Sequence, residues 1–525
     1  MKLNYKRTIL VGFAFFLICA FWQAYDNTIP LILTNKFGMS QTWSGVIMAL
    51  DNVLALFMLP LFGHISDKCT HPRGRRTPFI VVGTLLAAVA LIALSFVDNA
   101  QLKHLDKVSA IDDPAALAEI YQEQKDATLL TPGGESFILG HKFTQEEFTA
   151  IRSQISTRSE SAENDKTVTN PDYTNYVVPA RQACAHAVTR THPGMVVLFV
   201  VLLLIILISM ATFRSPAVAL MPDVTLKPLR SKGNAVINLM GSAGGILVLA
   251  LGMVFATSSV RNSLMSYTGY FGVIAALMLA ALVVFMLTVR EPEWAAEMQQ
   301  QAVAAGLEEA EEAEHPTESR RLSADEVKSL LLILLSIVLW FFGYNAVTSK
   351  YSVYASNILH KDYNLTLIIA QAAAIVAYLP VGIISSRVGR KKAIQAGVIM
   401  LTVAFGVAGF LHAESPTMLM NAMFALAGIA WATINVNSFP MVVELSSGGN
   451  VGKYTGFYYT ASMAAQVATP MLSGLLMDKW GMRVLFPYAT VFVALAFVTM
   501  LFVHHGDSKP EAVMGLEALE NLEND

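Results

Sequence analysis

The chain has 525 residues, of which 54% are hydrophobic and only 14% are Asp, Glu, Lys or Arg. Soluble domains carry about 25% charged residues, so this composition excludes a set of soluble domains, a disordered chain and a coiled coil. A balance of 36 basic against 39 acidic residues gives no footprint for nucleic acid, and three cysteines cannot build a disulfide scaffold. The remaining class is an integral membrane protein.

A bilayer-spanning helix needs roughly 20 mostly apolar residues. Twelve segments meet that need, near 9–33, 43–66, 78–97, 195–221, 234–258, 267–289, 329–357, 366–386, 393–412, 417–443, 454–477 and 484–504. The expected fold is therefore an all-α membrane protein with twelve transmembrane helices. The first segment follows Lys2, Lys6 and Arg7 as a signal peptide would, but no small-residue cleavage site comes after it, so it is read as retained. Basic residues collect after the second, fourth and eighth segments: Lys68, Arg73, Arg75 and Arg76; Lys227, Arg230 and Lys232; Arg387, Arg390, Lys391 and Lys392. The short odd-numbered connections are poor by comparison, with Lys36 after the first segment, Arg261 after the fifth and none after the ninth. The positive-inside rule then places both termini in the cytoplasm of a multi-pass protein of the cell (plasma or inner) membrane.

The expected organisation is a first six-helix half (1–290), a cytoplasmic linker (291–328), a second six-helix half (329–505) and a cytoplasmic tail (506–525). The first half carries an extracytoplasmic insertion, 98–194, with weak helical patterns over Pro114–Gln124 and Gln145–Ser156. Because it lies outside the repeat, its removal is expected to leave the membrane domain intact. The acidic run 308–314 in the linker is read as a solvated stretch.

The halves share a motif. Gly63-His-Ile-Ser-Asp67-Lys68 followed by Gly74-Arg75-Arg76 ends the second segment, and Gly382-Ile-Ile-Ser-Ser386-Arg387-Val-Gly389-Arg390-Lys391 ends the eighth. Two related six-helix halves are the mark of a transporter whose site lies between them at mid-membrane. Gly63 and Gly382 permit close helix approach, while Asp67, Arg75, Arg76, Asp223, Arg387 and Arg390 are expected to latch and release the cytoplasmic side. On this reading Asp67→Asn impairs turnover far more than substrate affinity.

The Gly-x-x-x-Asp-basic-x-Gly-Arg-basic pattern resembles the signature of the major facilitator superfamily. The longer string from Gly63 to Ile80, with Ser-Asp-Lys-Cys-Thr and Gly-Arg-Arg-Thr-Pro-Phe-Ile, is similar to the sucrose/proton symporter branch of the glycoside–pentoside–hexuronide group. So is Arg214-Ser-Pro-Ala-Val-Ala-Leu-Met-Pro-Asp223, while Asn437-Ser-Phe-Pro-Met-Val-Val-Glu444 followed by Gly452-Lys-Tyr-Thr-Gly456 is similar to the helix 10–11 region of the wider group. Thr77 departs from the third arginine of that pattern, and Ala55 and Leu59 stand where sodium-coupled relatives have paired acids. The resemblance implies a major facilitator fold and proton-coupled sugar symport by alternating access.

Ionisable groups inside spans are costly and commonly line a pathway. Asp26, Asp51 and Arg214 are the candidates for proton coupling, with Asp26 the first choice of the two acids. Burial favours a neutral carboxyl and a nearby guanidinium favours an ionised one, so a changing Arg–Asp distance would bind and release a proton. Gln23, Tyr25, Asn27 and Asn52 flank these acids. The second half supplies Trp340, Tyr344, Asn345, Gln371, Trp431, Asn435 and Asn437, aromatic faces and amides suited to a neutral polyol. Lys350 is expected to snorkel at the outer rim, and Gly241-Ser-Ala-Gly-Gly245 to be a helix-packing stripe.

Metal-ligand spacing, a nucleotide motif and a nucleophile constellation are absent from the sequence, so neither an enzyme nor a metal or organic cofactor is expected. The expected partners are the coupling proton, a small sugar or glycoside such as sucrose or maltose, and the lipid bilayer, with a monomer favoured. The competing readings are a major facilitator carrier of a non-sugar or lipid-type substrate and a non-transporting receptor.

Overall fold

The structure is a computed structural model, and it describes residues 3–157, 166–226, 229–304, 323–443, 445 and 451–506. The acidic run 308–314 and nearly all of the tail lie outside them. Within the described residues twelve long helices coincide with the twelve apolar segments. Spans 1–6 are Tyr5–Asn35, Gln41–Asp67, Thr77–His104, Pro193–Asp223, Arg230–Val254 and Thr268–Thr288. Spans 7–12 are Ala324–Tyr354, Tyr363–Val388, Arg390–Ala408, Thr417–Val443, Val451–Trp480 and Leu485–Leu501. Ten helices among the described residues are long and apolar enough to cross a bilayer, and span 8 has a shorter apolar stretch, Tyr363–Tyr378.

Local chemistry sets the helix ends. The Asn4 side chain accepts from the Arg7 amide at 3.1 Å and Ser40 accepts from the Trp43 amide at 3.3 Å, filling positions that a helix leaves open at its start. Span 3 has Pro78 in its first turn, where a missing N–H costs nothing.

The chain divides into two compact units. The first comprises Met1–Leu307, Ser349–Leu365 and Pro470–Arg483; the second comprises Glu308–Thr348, Thr366–Thr469 and Val484–Asp525. The first unit has an apolar core through spans 1, 3, 4 and 6, including Phe21, Ile32, Leu94, Phe199, Leu203 and Phe271. Span 5 packs on span 1 through the glycine stripe. A Cβ at Gly244 would lie 2.6 Å from the Phe16 carbonyl oxygen, and one at Gly241 would lie 2.8 Å from Cys19 Sγ. Only glycine permits that approach, which is the packing role read from the sequence.

Between spans 3 and 4 the chain forms a small lobe with its own core of Leu117, Ile120, Phe148, Tyr173, Val177 and Cys184. Pro114–Gln124 is helical, as its pattern predicts. The second pattern divides: Gln145–Ala150 is helical, opened by a capping box between Thr144 and Glu147, but Gln154–Thr157 pairs as a strand with Lys166–Thr169. Ile155 opposite Val168 explains the change, because β-branched side chains favour a pleated surface. A second hairpin joins Thr128–Leu130 to Ser136–Ile138.

Span 3 runs on to His104, so the segment 98–194 begins inside a helix. Asp98 and Lys36 are both fully buried and form an ion pair, with Lys36 Nζ 2.6 Å from each carboxylate oxygen. Lys36 also donates to the Met265 carbonyl at 2.7 Å and lies 4.6 Å from the centre of the Tyr267 ring.

Lys350 does not snorkel. It is fully buried and donates to the Gln41 carbonyl at 2.7 Å, because its helix end packs against the start of span 2 rather than facing solvent.

In the second unit, spans 8 and 10 meet where a Cβ at Gly428 would lie 2.0 Å from the Ala370 carbonyl oxygen. Spans 7 and 12 meet at Gly343, whose Cβ would lie 2.7 Å from the Ala489 carbonyl oxygen. Both crossings again require a missing side chain.

Candidate functional site

Spans 1, 2 and 4 bring three charges together in the first unit. Asp26 and Asp51 lie within Coulombic reach of each other and of the Arg214 guanidinium. All three are half-buried. Arg214 sits over the Trp22 ring, 5.5 Å from its centre, a cation–π contact that holds the guanidinium without neutralising it. Two residues on, Pro216 interrupts the span 4 hydrogen-bond ladder. Asp51 accepts from Asn52 Nδ2 at 2.7 Å. The arithmetic of charge matters here: two ionised carboxylates and one guanidinium leave one negative charge, and one bound proton removes it.

Around these acids, Trp22 Nε1 and the Tyr25 hydroxyl are buried with no hydrogen-bond partner among the described residues. A buried donor left unpaired costs about 1–3 kcal/mol, so such groups mark where a polar ligand or water completes the structure. Gln23 is half-buried beside them. Asn27 is buried, and its amide donates at 2.7 Å to the Gln23 carbonyl of its own helix.

In the second unit, Tyr344 and Trp431 stack with ring centres 3.6 Å apart and planes 1° from parallel. Phe341 meets Trp431 edge-on at 5.3 Å. Asn345 follows Tyr344, and its Nδ2 is another buried donor without a partner among the described residues. Asn435, one turn beyond Trp431, and Gln371 on span 8 are half-buried. Asn437 is buried and donates to the Thr433 carbonyl at 2.8 Å. Trp340 is fully enclosed by protein.

The motif after span 2 forms a network. Arg75 donates to both Asp223 oxygens, at 3.1 and 2.6 Å, and Arg76 Nε donates to Asp223 at 2.7 Å. Arg76 also bonds Asp67 and Ser66. Asp223 is thus the shared acceptor, with a side chain 13% exposed, whereas Asp67 is 56% exposed. Water competes for the exposed Asp67 carboxylate but not for the buried Arg76 guanidinium, so that bond contributes less than the one to Asp223. Gly63 lies where a Cβ would be 2.9 Å from Ser215 Oγ on span 4. The repeat is visible in matching side-chain bonds: the Ser66 hydroxyl donates to the Gly63 carbonyl at 2.8 Å, and the Ser385 hydroxyl donates to the Gly382 carbonyl at 3.1 Å. Arg390 is half-buried at the start of span 9, and the Arg387 side chain lies outside the described part.

The sequence reading missed the acid that completes this network. Glu291 is buried just after span 6 and accepts from the Arg76 and Thr77 amides, each at 2.8 Å, and from the Thr77 hydroxyl at 2.7 Å. It caps span 3, and Gly74, with φ of +109°, makes room for its carboxylate. Its signal was present as an acid directly after an apolar span, but nothing local named its partner.

The shift of weight from Asp67 to Asp223 makes a prediction. Asp223→Asn should lower turnover at least about tenfold, because it strips two guanidinium groups of their shared anion, while Asp67→Asn stays within about twofold. Initial rates in proteoliposomes for the two variants check this, and equal losses would contradict it.

The geometry agrees with the comparisons to known proteins. The Major Facilitator Superfamily model matches residues 6–105 and 353–518, more than half of the chain. The chain belongs to the major facilitator superfamily. Among curated relatives, it is 37% identical over 59 residues to sucrose transport protein SUC4 and 39% over 67 residues to SUC3, both of Arabidopsis thaliana. Those matches cover 11% and 13% of this chain and only 12% and 11% of the relatives' own lengths. An uncharacterized MFS-type transporter of Methanocaldococcus jannaschii is 30% identical over 126 residues, 24% of this chain and 30% of that protein. Among solved structures, the xylose transporter XylE from E. coli in an inward open conformation matches with a TM-score of 0.59 at 15% identity, over 98% of this chain and 100% of that one. The nucleoside transporter NupG matches with a TM-score of 0.55 at 12% identity, over 95% of this chain and 100% of that one. The fold is the all-α membrane fold of these transporters, which are not enzymes.

Proposed function

We propose that the protein is a proton-coupled symporter of a sugar or glycoside, with a disaccharide such as sucrose or maltose as cargo. The observation that carries this reading is the Asp26–Asp51–Arg214 group, which gains neutrality by binding one proton. Buried donors without partners at Trp22, Tyr25 and Asn345 suit hydroxyl-bearing cargo, and the Tyr344–Trp431 pair offers a flat face to a sugar ring. The partial likeness to sucrose transport proteins supports the same class of cargo. The lysines and arginines after spans 2, 4 and 8 support a topology with those loops and both termini in the cytoplasm and the lobe outside.

The coupling step needs no covalent chemistry. With Asp26 protonated, Arg214 and Asp51 balance each other and cargo binds to a neutral group. When the Arg214–Asp26 distance shortens, the guanidinium favours the ionised carboxyl and the proton leaves on the other side. Both groups lie in the first half, so the change of distance is a rearrangement of spans 1 and 4 within that half as the protein alternates.

Counterflow of labelled sucrose, maltose and a lysophospholipid in proteoliposomes tests the cargo. Exchange of a disaccharide supports the proposal; exchange of the lysophospholipid alone sinks it. Trp431→Ala should raise KM for the disaccharide about tenfold with little change in maximal rate, since a lost stacking contact of about 1.4 kcal/mol acts on binding. A fall in rate at unchanged KM would remove the stack from the cargo site.

A further inference from the structure

The lobe touches more than its own neighbours in sequence. On one side it grips the connection between spans 1 and 2: Gln182 donates to Asn35 at 3.0 Å, and Thr189 donates to the Phe37 carbonyl at 3.0 Å. Gly38, with φ of +61°, lies so close to the lobe that a Cβ there would be 2.3 Å from the Gln182 carbonyl oxygen.

On another side it grips parts of spans 7 and 11 and their turns, which the sequence repeat assigns to the second set of six helices. The Met482 amide donates to the Pro132 carbonyl at 2.7 Å. Two left-handed glycines make that docking possible: a Cβ at Gly134 (φ +92°) would lie 2.6 Å from the Trp480 carbonyl oxygen, and one at Gly481 (φ +83°) would lie 2.5 Å from Gly133. Thr174 Oγ1 is 3.3 Å from His360 Nδ1, at the turn between spans 7 and 8.

The same helix ends hold span 2 directly. Asp478, near the end of span 11, accepts from the Gln41 amide at 2.7 Å, the Thr42 amide at 2.8 Å and the Thr42 hydroxyl at 2.6 Å. A carboxylate at a helix start satisfies open amides and favours the helix dipole. Buried Lys350 completes the knot on the Gln41 carbonyl. Gly45 and Gly474 bring the two backbones together: their Cβ atoms would lie 2.0 Å from the Pro470 carbonyl oxygen and 2.2 Å from the Gln41 carbonyl oxygen.

We propose that the lobe is a clasp. With Asp478 and Lys350 it holds the lobe-side ends of spans 7 and 11 on spans 1 and 2, and each transport cycle must release it for that side to open. The inference rests on membership of a transporter family and not on the identity of the cargo. Its contacts are hydrogen bonds, which can break and re-form as a set.

Hydrogen exchange read residue by residue on the full chain in lipid nanodiscs tests this without any cargo. Gly134→Val adds a side chain where the Trp480 carbonyl leaves no room, and valine is strained at that φ. The clasp predicts at least tenfold faster exchange at the Gln41 and Thr42 amides, which lie on a different contact from the substituted turn. Faster exchange confined to residues 128–138 and 480–483 would show a merely local contact and overturn the proposal. The second variant works in the opposite direction. Thr174→Cys with His360→Cys, with the three native cysteines replaced by alanine, is joined by a reversible bis-methanethiosulfonate. Exchange at Gln41 and Thr42 should slow at least threefold against the same protein after dithiothreitol, and equal rates would overturn the clasp even if Gly134→Val fails to fold.

Discussion

Asp26→Asn is expected to abolish uphill accumulation of the sugar while sparing its exchange across the membrane. One pH unit is worth about 1.4 kcal/mol, so one proton per sugar supports up to about tenfold accumulation at that gradient. The asparagine keeps the size of the side chain and removes the titratable group beside Asp51 and Arg214. Accumulation should fall to none, because exchange needs no net proton movement and net uphill uptake does. In the unmodified protein, uptake should rise as the pH on the lobe side is lowered, and that dependence should vanish in the variant. Arg214→Lys keeps the charge but loses the planar group that lies over Trp22, so both binding and coupling should weaken. If Asp26→Asn still concentrates sugar in a pH gradient, the proton resides on Asp51.

Asp98→Ala should destabilise the protein by about 3–5 kcal/mol, the range for removing one partner of a buried ion pair. Lys36 would remain fully buried with only the Met265 carbonyl and the Tyr267 ring beside it. Replacing both partners, with Asp98→Leu and Lys36→Met, should recover most of the loss, since the cost comes from the stranded charge. Thermal unfolding in detergent, followed by intrinsic fluorescence, checks both variants. A single variant as stable as the parent would show that Lys36 finds another anion. The pair also bears on the lobe: a deletion that starts at residue 98 removes Asp98 with it, whereas one that starts after His104 leaves the pair in place.

What could be seen in advance followed from local pattern. Twelve apolar segments predicted twelve helices, because in a bilayer the backbone can satisfy itself only within a helix. The duplicated Gly-x-x-Ser motif predicted matching helix ends, and Ser66 and Ser385 make matching bonds. Asp26, Asp51 and Arg214 stand out in the sequence because so few charges lie in the spans. The rest depended on partners far away in the chain. Glu291 caps a helix that begins more than 200 residues earlier, and Asp478 caps one more than 430 residues earlier. Neither has a local sequence signal, since a cap supplied in trans looks like any acid near a helix end. Lys350 was misread for the same reason: a lysine near a helix end snorkels unless another helix start covers it. Asn27 and Asn437 were chosen as polar groups within spans, and their amides bond their own helices, an alternative open to any asparagine one turn beyond a carbonyl.

Proton-driven sugar uptake, the proposed function, has one decisive test. Its most direct measurement is the uptake of labelled sucrose and maltose into proteoliposomes holding the unmodified chain, with a proton gradient and a sodium gradient imposed separately. Proton-coupled symport gives accumulation above the external concentration with the proton gradient, collapse of that accumulation on adding a protonophore, and none with sodium alone. Accumulation driven by sodium alone, or equal uptake with and without the proton gradient, would contradict it.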